Sequence, residues 1–104
     1  MSWEHWIEEE FVNGTTIEKV EYLINRDNLK DESRKRYLVY KRNYLYYLLR
    51  KEGYPLEFIG RLFNRHHSTV INGIDTYRSV RNYKDVKHTL KGYKLILENK
   101  TLEN

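Results

Sequence analysis

The sequence contains no cysteine, which excludes disulfide frameworks and thiolate metal centres and suits a reducing compartment. It has a single proline, Pro55, so there is little to break a helical chain. No apolar run approaches the roughly eighteen residues that a membrane span requires, and residues 1–10 are acidic where a signal peptide is basic. The expectation is a soluble, cytoplasmic protein with no membrane contact. No stretch alternates apolar and polar residues for the length of a strand, which argues against β structure. A Gly-x-x-x-x-Gly-Lys-Ser/Thr phosphate cradle is missing, as is any nucleophile with a suitably spaced histidine and acid. Nucleotide binding, a cofactor and enzymatic activity are therefore not expected. His66 and His67 are adjacent, so on a helix they point about 100° apart, and no cysteine or nearby acid completes a metal site. No metal is expected.

Aromatic residues and charge are abundant. Ten tyrosines, two tryptophans and three phenylalanines must supply much of the core of what is, at 104 residues, one small domain. The net charge of +4 hides an asymmetry. Residues 1–33 hold nine acids against three bases, whereas residues 34–65 hold nine bases (Arg34, Lys35, Arg36, Lys41, Arg42, Arg50, Lys51, Arg61 and Arg65) against Glu52 and Glu57. A cationic block of this kind suits a polyanion, because each neutralised phosphate releases condensed counterions. A solvated charged face is the plainer alternative.

Apolar residues recur at helical spacing along most of the chain. Ser2 can cap a short acidic-aromatic helix carrying Trp3, Trp6, Ile7 and Phe11, an N-terminal extension over residues 1–14 that ends at Asn13-Gly14. Thr15 and Glu18 form a capping-box pair for a helix with Ile17, Val20, Leu23 and Ile24 on one face. Residues 27–33 are turn-like. From about residue 34 to 52, Tyr37, Tyr40, Tyr44 and Tyr47 run beside Leu38, Leu45, Leu48 and Leu49, a wide apolar face that predicts a central helix ended by Gly53. The tyrosine row reads as core, with base stacking as its rival. Pro55 fits the first turn of a short helix with Leu56, Ile59, Leu62 and Phe63 inward. Asn64-Arg65 makes a corner, and a helix opening at His67 or Ser68 turns Val70, Ile71, Ile74 and Tyr77 inward. A last helix starts near Asp85 and buries Val86, Leu90, Tyr93 and Leu97.

Two helices joined by so short a corner match a helix-turn-helix over about residues 56–77. The run Ile59-Gly60-Arg61-Leu62-Phe63-Asn64-Arg65-His66-His67-Ser68-Thr69-Val70 resembles the signature of the carboxy-terminal DNA-binding domain, domain IV, of the bacterial chromosomal replication initiator (DnaA) family. In that signature an Ile-Gly pair and a Phe precede a Gly-rich corner and Arg-Asp-His-Thr-Thr-Val. Residues 16–29, the basic Arg34-Lys35-Arg36 and the helix after Lys41-Arg42 extend the resemblance over most of the chain beyond Thr15. It implies an all-α, five- or six-helix bundle of Trp-repressor-like character, with residues 15–104 forming a stand-alone domain that lacks the initiator's ATPase and is either encoded by a phage or mobile element or acts as a small regulator that competes for or marks initiator-type boxes.

The resemblance also implies double-stranded DNA as the partner and sequence-specific binding. His67, Ser68 and Thr69 would face base edges, with His66 where the family has an acid. Arg65, Arg42 and Arg50 would touch phosphate. Arg34, with Lys35 and Arg36, would enter the minor groove, and Leu56 would approach a thymine methyl. Histidine, serine and threonine are chemically apt, since each can donate to or accept from a base edge. The corner 63–66 is one residue shorter than the family's usual Phe-Gly-Gly-Arg-Asp, and His66 can donate where an aspartate only accepts, so the box recognised is expected to differ. From another class, the rival reading is a helical protein-interaction module docking on a replication or host partner. The Trp3/Trp6 helix would then be a partner or homodimer contact, or else cover its own core.

Overall fold

The computed structural model describes residues 13–98, so the predicted Trp3/Trp6 helix lies outside the described residues. Among these the chain is all helical: α1 (Thr16–Arg26), α2 (Arg36–Lys51), α3 (Leu56–Phe63), α4 (His67–Val80) and α5 (Lys84–Leu97). α2 is the axle. It packs most extensively on α4 and then on α5, while α3 lies mainly against α4 and α1 against α5.

The helix ends follow from local chemistry. Thr15 caps α1 in a reciprocal box: its side chain accepts from the Glu18 N–H, and the Glu18 carboxylate accepts from the Thr15 N–H. α1, α2 and α3 all end in the same paired bonds. The N–H groups of Leu29, Tyr54 and Arg65 reach back five residues to Ile24, Leu49 and Gly60, and those of Asn28, Gly53 and Asn64 reach back three. Each pair encloses a residue with positive φ, at 54°, 99° and 58° respectively, where glycine and asparagine are the least strained choices. Pro55 sits one residue earlier than its spacing predicts, as the N-cap of α3, with extended ψ of 148°.

The core joins Val20, Leu23 and Ile24 of α1, Tyr44, Leu45, Tyr46 and Leu49 of α2, Ile59 and Phe63 of α3, Val70, Ile74 and Tyr77 of α4, and Val86, Leu90, Tyr93 and Ile96 of α5. The tyrosine row divides. Tyr44 is buried, Tyr40 and Tyr47 are half-buried and Tyr37 is exposed, while Tyr46, outside that row, is sealed against Phe63 in an edge-on contact at 4.9 Å. The physical reason is position: the middle of α2 is covered on several sides and its ends are not, so a stripe of even spacing gains unequal burial. At the end of α5 Ile96 is buried and Leu97 packs half-buried against the core.

One ionic knot ties α1, α2 and α5 together. The Asp27 carboxylate accepts two bonds from Arg26 at 3.0 Å, one from Lys41 at 3.3 Å and one from the Tyr93 hydroxyl. Burial would raise this carboxyl, but the bonds from Arg26 and Tyr93 and the charges of Arg26 and Lys41 outweigh it and bring its pKa down to about 2. A carboxyl depressed in the folded state stabilises fully above its unfolded pKa of roughly 4, and the contribution is lost as pH falls from there towards 2. Allowing for partial hydration, it amounts to about 1–2 kcal/mol. Urea titrations of the wild type and Asp27→Asn should differ by that amount at pH 7 and converge near pH 2. Parallel curves across that window would show that the carboxylate's charge is not what the knot uses.

Candidate nucleic-acid interface

The corner between α3 and α4 is built on two tight approaches. Asn64 takes the left-handed conformation that reverses the chain, and Arg65 then folds its N–H back onto the Gly60 carbonyl at 2.8 Å. This brings the Arg65 carbonyl so close that a Cβ on residue 60 would lie 2.4 Å from it, which is why a glycine stands there. At the other contact of α4, a Cβ on Gly73 would lie 2.5 Å from the Asn43 Oδ1 and 2.6 Å from the Tyr46 ring. Glycine at 73 therefore sets how closely α4 approaches the axle.

α4 begins with an imidazole cap. His66 is extended, and its Nδ1 accepts from the Ser68 N–H at 3.2 Å and lies 2.9 Å from the Ser68 Oγ. With Nδ1 accepting, the neutral ring carries its proton on Nε2 and so offers a donor away from the helix. The His67 ring packs on that of His66 at 4.2 Å between centroids. His66, Ser68 and Thr69 are exposed and His67 is half-buried, so the first turn of α4 is open to solvent. Asn72 and Asp75, which the sequence reading did not single out, are exposed one and two turns further along, on the side facing away from the core.

Beside this turn lies a concavity of about 420 Å³ lined in part by Arg34, Arg42, Asn64, Arg65 and Thr69. Arg34 and Thr69, far apart in sequence, thus share one surface. Arg42 and Arg65 form the floor, and both are engaged by main-chain carbonyls. Arg42 is buried and donates to Leu29 at 2.8 Å, Ser33 at 2.7 Å and Asp31 at 2.6 Å. Arg65 donates to Lys30, Phe63 and Asn64 from one nitrogen and to Asp31, at 2.6 Å, from another. The two guanidinium groups converge on the Asp31 carbonyl and staple the α1–α2 loop to the corner. Burial lowers the Arg42 pKa, and the neighbouring Arg65 charge lowers it further. Beneath them the Tyr46 hydroxyl is buried and has no hydrogen-bond partner among the described residues, its pKa raised by burial against the pull of the two arginines.

The remaining basic residues point elsewhere. Lys35, at the N-cap of α2, lines a separate hollow with Asp27, Asn28, Tyr37 and Lys41. Arg36 is largely exposed and makes only a loose pair with Asp85 at 3.9 Å. Leu56 is half-buried against the core at the start of α3. Arg50 lies with Tyr47, Lys51, Ile74 and Arg78, on a different side of α4 from Arg34. Among the described residues, no group of three His, Asp or Glu side chains gathers as a metal site would require.

Comparison with known proteins agrees with this geometry. The family model described as bacterial DnaA protein helix-turn-helix matches residues 17–76, from the first helix to the penultimate turn of α4. The chromosomal replication initiator protein DnaA of Oleidesulfovibrio alaskensis is 50% identical over 52 residues, covering 49% of this chain and 11% of that protein. The chain thus spans about a ninth of the length of the curated relative it matches. No solved structure gives a significant match. With a corner built on Gly60 and Asn64 and a match covering more than half its length, the chain belongs to the bacterial DnaA helix-turn-helix family.

Proposed function

We propose that the chain binds duplex DNA sequence-specifically, with the first turn of α4 in the major groove and Arg34 in the adjacent minor groove. The observation that carries this reading is the open first turn of α4 bordering one concavity with Arg34 and two arginines. A helix start favours phosphate through its free N–H groups and partial positive charge, and short side chains there let the backbone come close to the bases. His66 Nε2–H, His67, Ser68 and Thr69 supply donors and acceptors for base edges. Arg34 reads groove width and so favours A·T-rich flanks. Arg42 and Arg65 work from behind, holding the α1–α2 loop so that Arg34 is presented, while their charges add to the local positive potential. The loop, rather than any single contact, then connects the two grooves.

Because His66 replaces an acidic residue of the family signature, the box preferred differs from the initiator's own. Marking or competing for initiator-type sites is the role that follows. The test is selection of bound duplexes from a random pool, followed by anisotropy titration of a recovered 20-base-pair duplex. If about six phosphates are neutralised, log affinity falls against log salt with a slope near −5. His67→Ala should cost about 1–3 kcal/mol on the selected duplex and leave scrambled duplex almost unchanged. A flat salt response, or no enriched sequence, would refute the reading.

A further inference from the structure

Along α4, the concavity that holds Arg34 meets the helix at Thr69, whereas Arg50, Lys51 and Tyr47 meet it at Ile74 and Arg78. Thr69 and Arg78 are nine positions apart, which at 100° per residue places them about 180° apart around the helix axis. Ser68, Asn72 and Asp75 lie between these flanks on the side away from the core, and all are exposed. α4 therefore has cations on both flanks and, along the middle, the short side chains of Ser68 and Asn72 with the carboxylate of Asp75.

The second flank is organised around an aromatic ring. The ammonium of Lys51 and the guanidinium groups of Arg78 and Arg81 stand 5.9, 5.9 and 5.2 Å from the centroid of the Tyr47 ring. Arg81 also donates to the Tyr47 hydroxyl at 3.3 Å, and the ring leans on Tyr77 at 5.0 Å. Among the described residues none of Arg50, Lys51, Arg78 and Arg81 is paired with a carboxylate. Four cations gathered without a carboxylate repel one another, and the ring's negative face offsets part of that repulsion for Lys51, Arg78 and Arg81, while Arg50 donates to the Tyr54 carbonyl at 3.1 Å.

A helix lying in the major groove has a phosphate row on each side, one from each strand. We infer that Lys51 and Arg78, set around Tyr47, grip the phosphates of the strand across the major groove from the strand approached on the Arg34 side. This rests on the duplex-binding reading above and adds to it which strand each flank holds. The two cationic flanks then fix the roll of α4 in the groove, and with it which of Ser68, Asn72 and Asp75 meets which base.

The test uses the selected 20-base-pair duplex with uncharged methylphosphonate linkages placed on one strand at a time. Lys51→Gln with Arg78→Gln should lower the salt slope by about 2 and weaken binding on the order of tenfold. The double variant should also lose the wild type's sensitivity to neutral linkages on one strand only. Arg34→Gln should lose that sensitivity on the other strand. Lys51→Arg with Arg78→Lys keeps the charges and should keep the slope, which separates loss of charge from loss of fold. An unchanged slope in the glutamine variant, or loss of sensitivity on the same strand as Arg34→Gln, overturns the two-flank grip while leaving duplex binding intact. A wild type that binds no duplex overturns both.

Discussion

Arg42→Met should lower stability by about 3 kcal/mol and remove specific binding even at temperatures where the variant remains folded. The side chain fits methionine in volume, but three carbonyls lose a charged donor, at Leu29, Asp31 and Ser33. Hydrogen bonds from charged groups contribute roughly 1.5–3 kcal/mol each, and part is recovered here because Arg65 still serves Asp31 and water can reach Ser33. Against a total of about 5–15 kcal/mol for a domain of this size the loss is large. Arg42→Lys is the informative companion: one ammonium keeps the charge but cannot span carbonyls contributed by three residues, so most of the loss should persist. Urea unfolding at neutral pH measures both variants. A cost below about 1 kcal/mol for either would mean that the loop at residues 29–33 is held by something other than this guanidinium.

Gly60→Ala should cost about 2–4 kcal/mol, more than an added methyl costs in most cores. The obstacle is the Arg65 main-chain oxygen at 2.4 Å, and it cannot retreat. The Arg65 N–H is tied to the Gly60 carbonyl at 2.8 Å and its side chain to four further carbonyls, so the whole corner would have to open. Opening it moves the first turn of α4 relative to Arg34, and specific DNA affinity should fall in step with stability. At Gly73 the neighbours are the Asn43 Oδ1 and the Tyr46 ring, both buried, so alanine there should cost a comparable amount by forcing α4 away from α2. Gly92 provides the control. Nothing lies within 4 Å of a Cβ there and the residue sits inside α5, so Gly92→Ala should stabilise by roughly 0.5–1 kcal/mol. Thermal melts of the three variants give the order, and a Gly60→Ala protein as stable as Gly92→Ala would show that the corner is slack.

Most helices were legible because their signals are local. The Thr15–Glu18 box, the apolar face of residues 36–51, Gly53 after it and the short corner at Asn64 each depend on residues within one or two turns. Pro55 caps α3 instead of opening its first turn, and its fixed φ of −64° suits either position, so sequence alone does not separate the two. The arginines were harder. Arg34, Arg42 and Arg65 look alike in a list of bases, yet Arg34 is exposed whereas Arg42 is buried under the α1–α2 loop and Arg65 half-buried across it. Their partners are main-chain carbonyls, which every residue possesses, so no residue type in the sequence announces them. Likewise Tyr47 and Tyr46 are neighbours of one kind, and only the crossing of α2 and α4 makes one a half-buried pedestal for cations and the other a sealed core ring.

By itself, then, the sequence determined the helical class, the helix-turn-helix and the family, because periodicity, capping and a contiguous signature are all written in short stretches of chain. The tertiary structure alone decided which cations face solvent and which hold the loop, and on which flank of α4 each lies. Those assignments depend on burial and on contacts between residues as distant as Asp31 and Arg65, and such contacts exist only once the helices have packed.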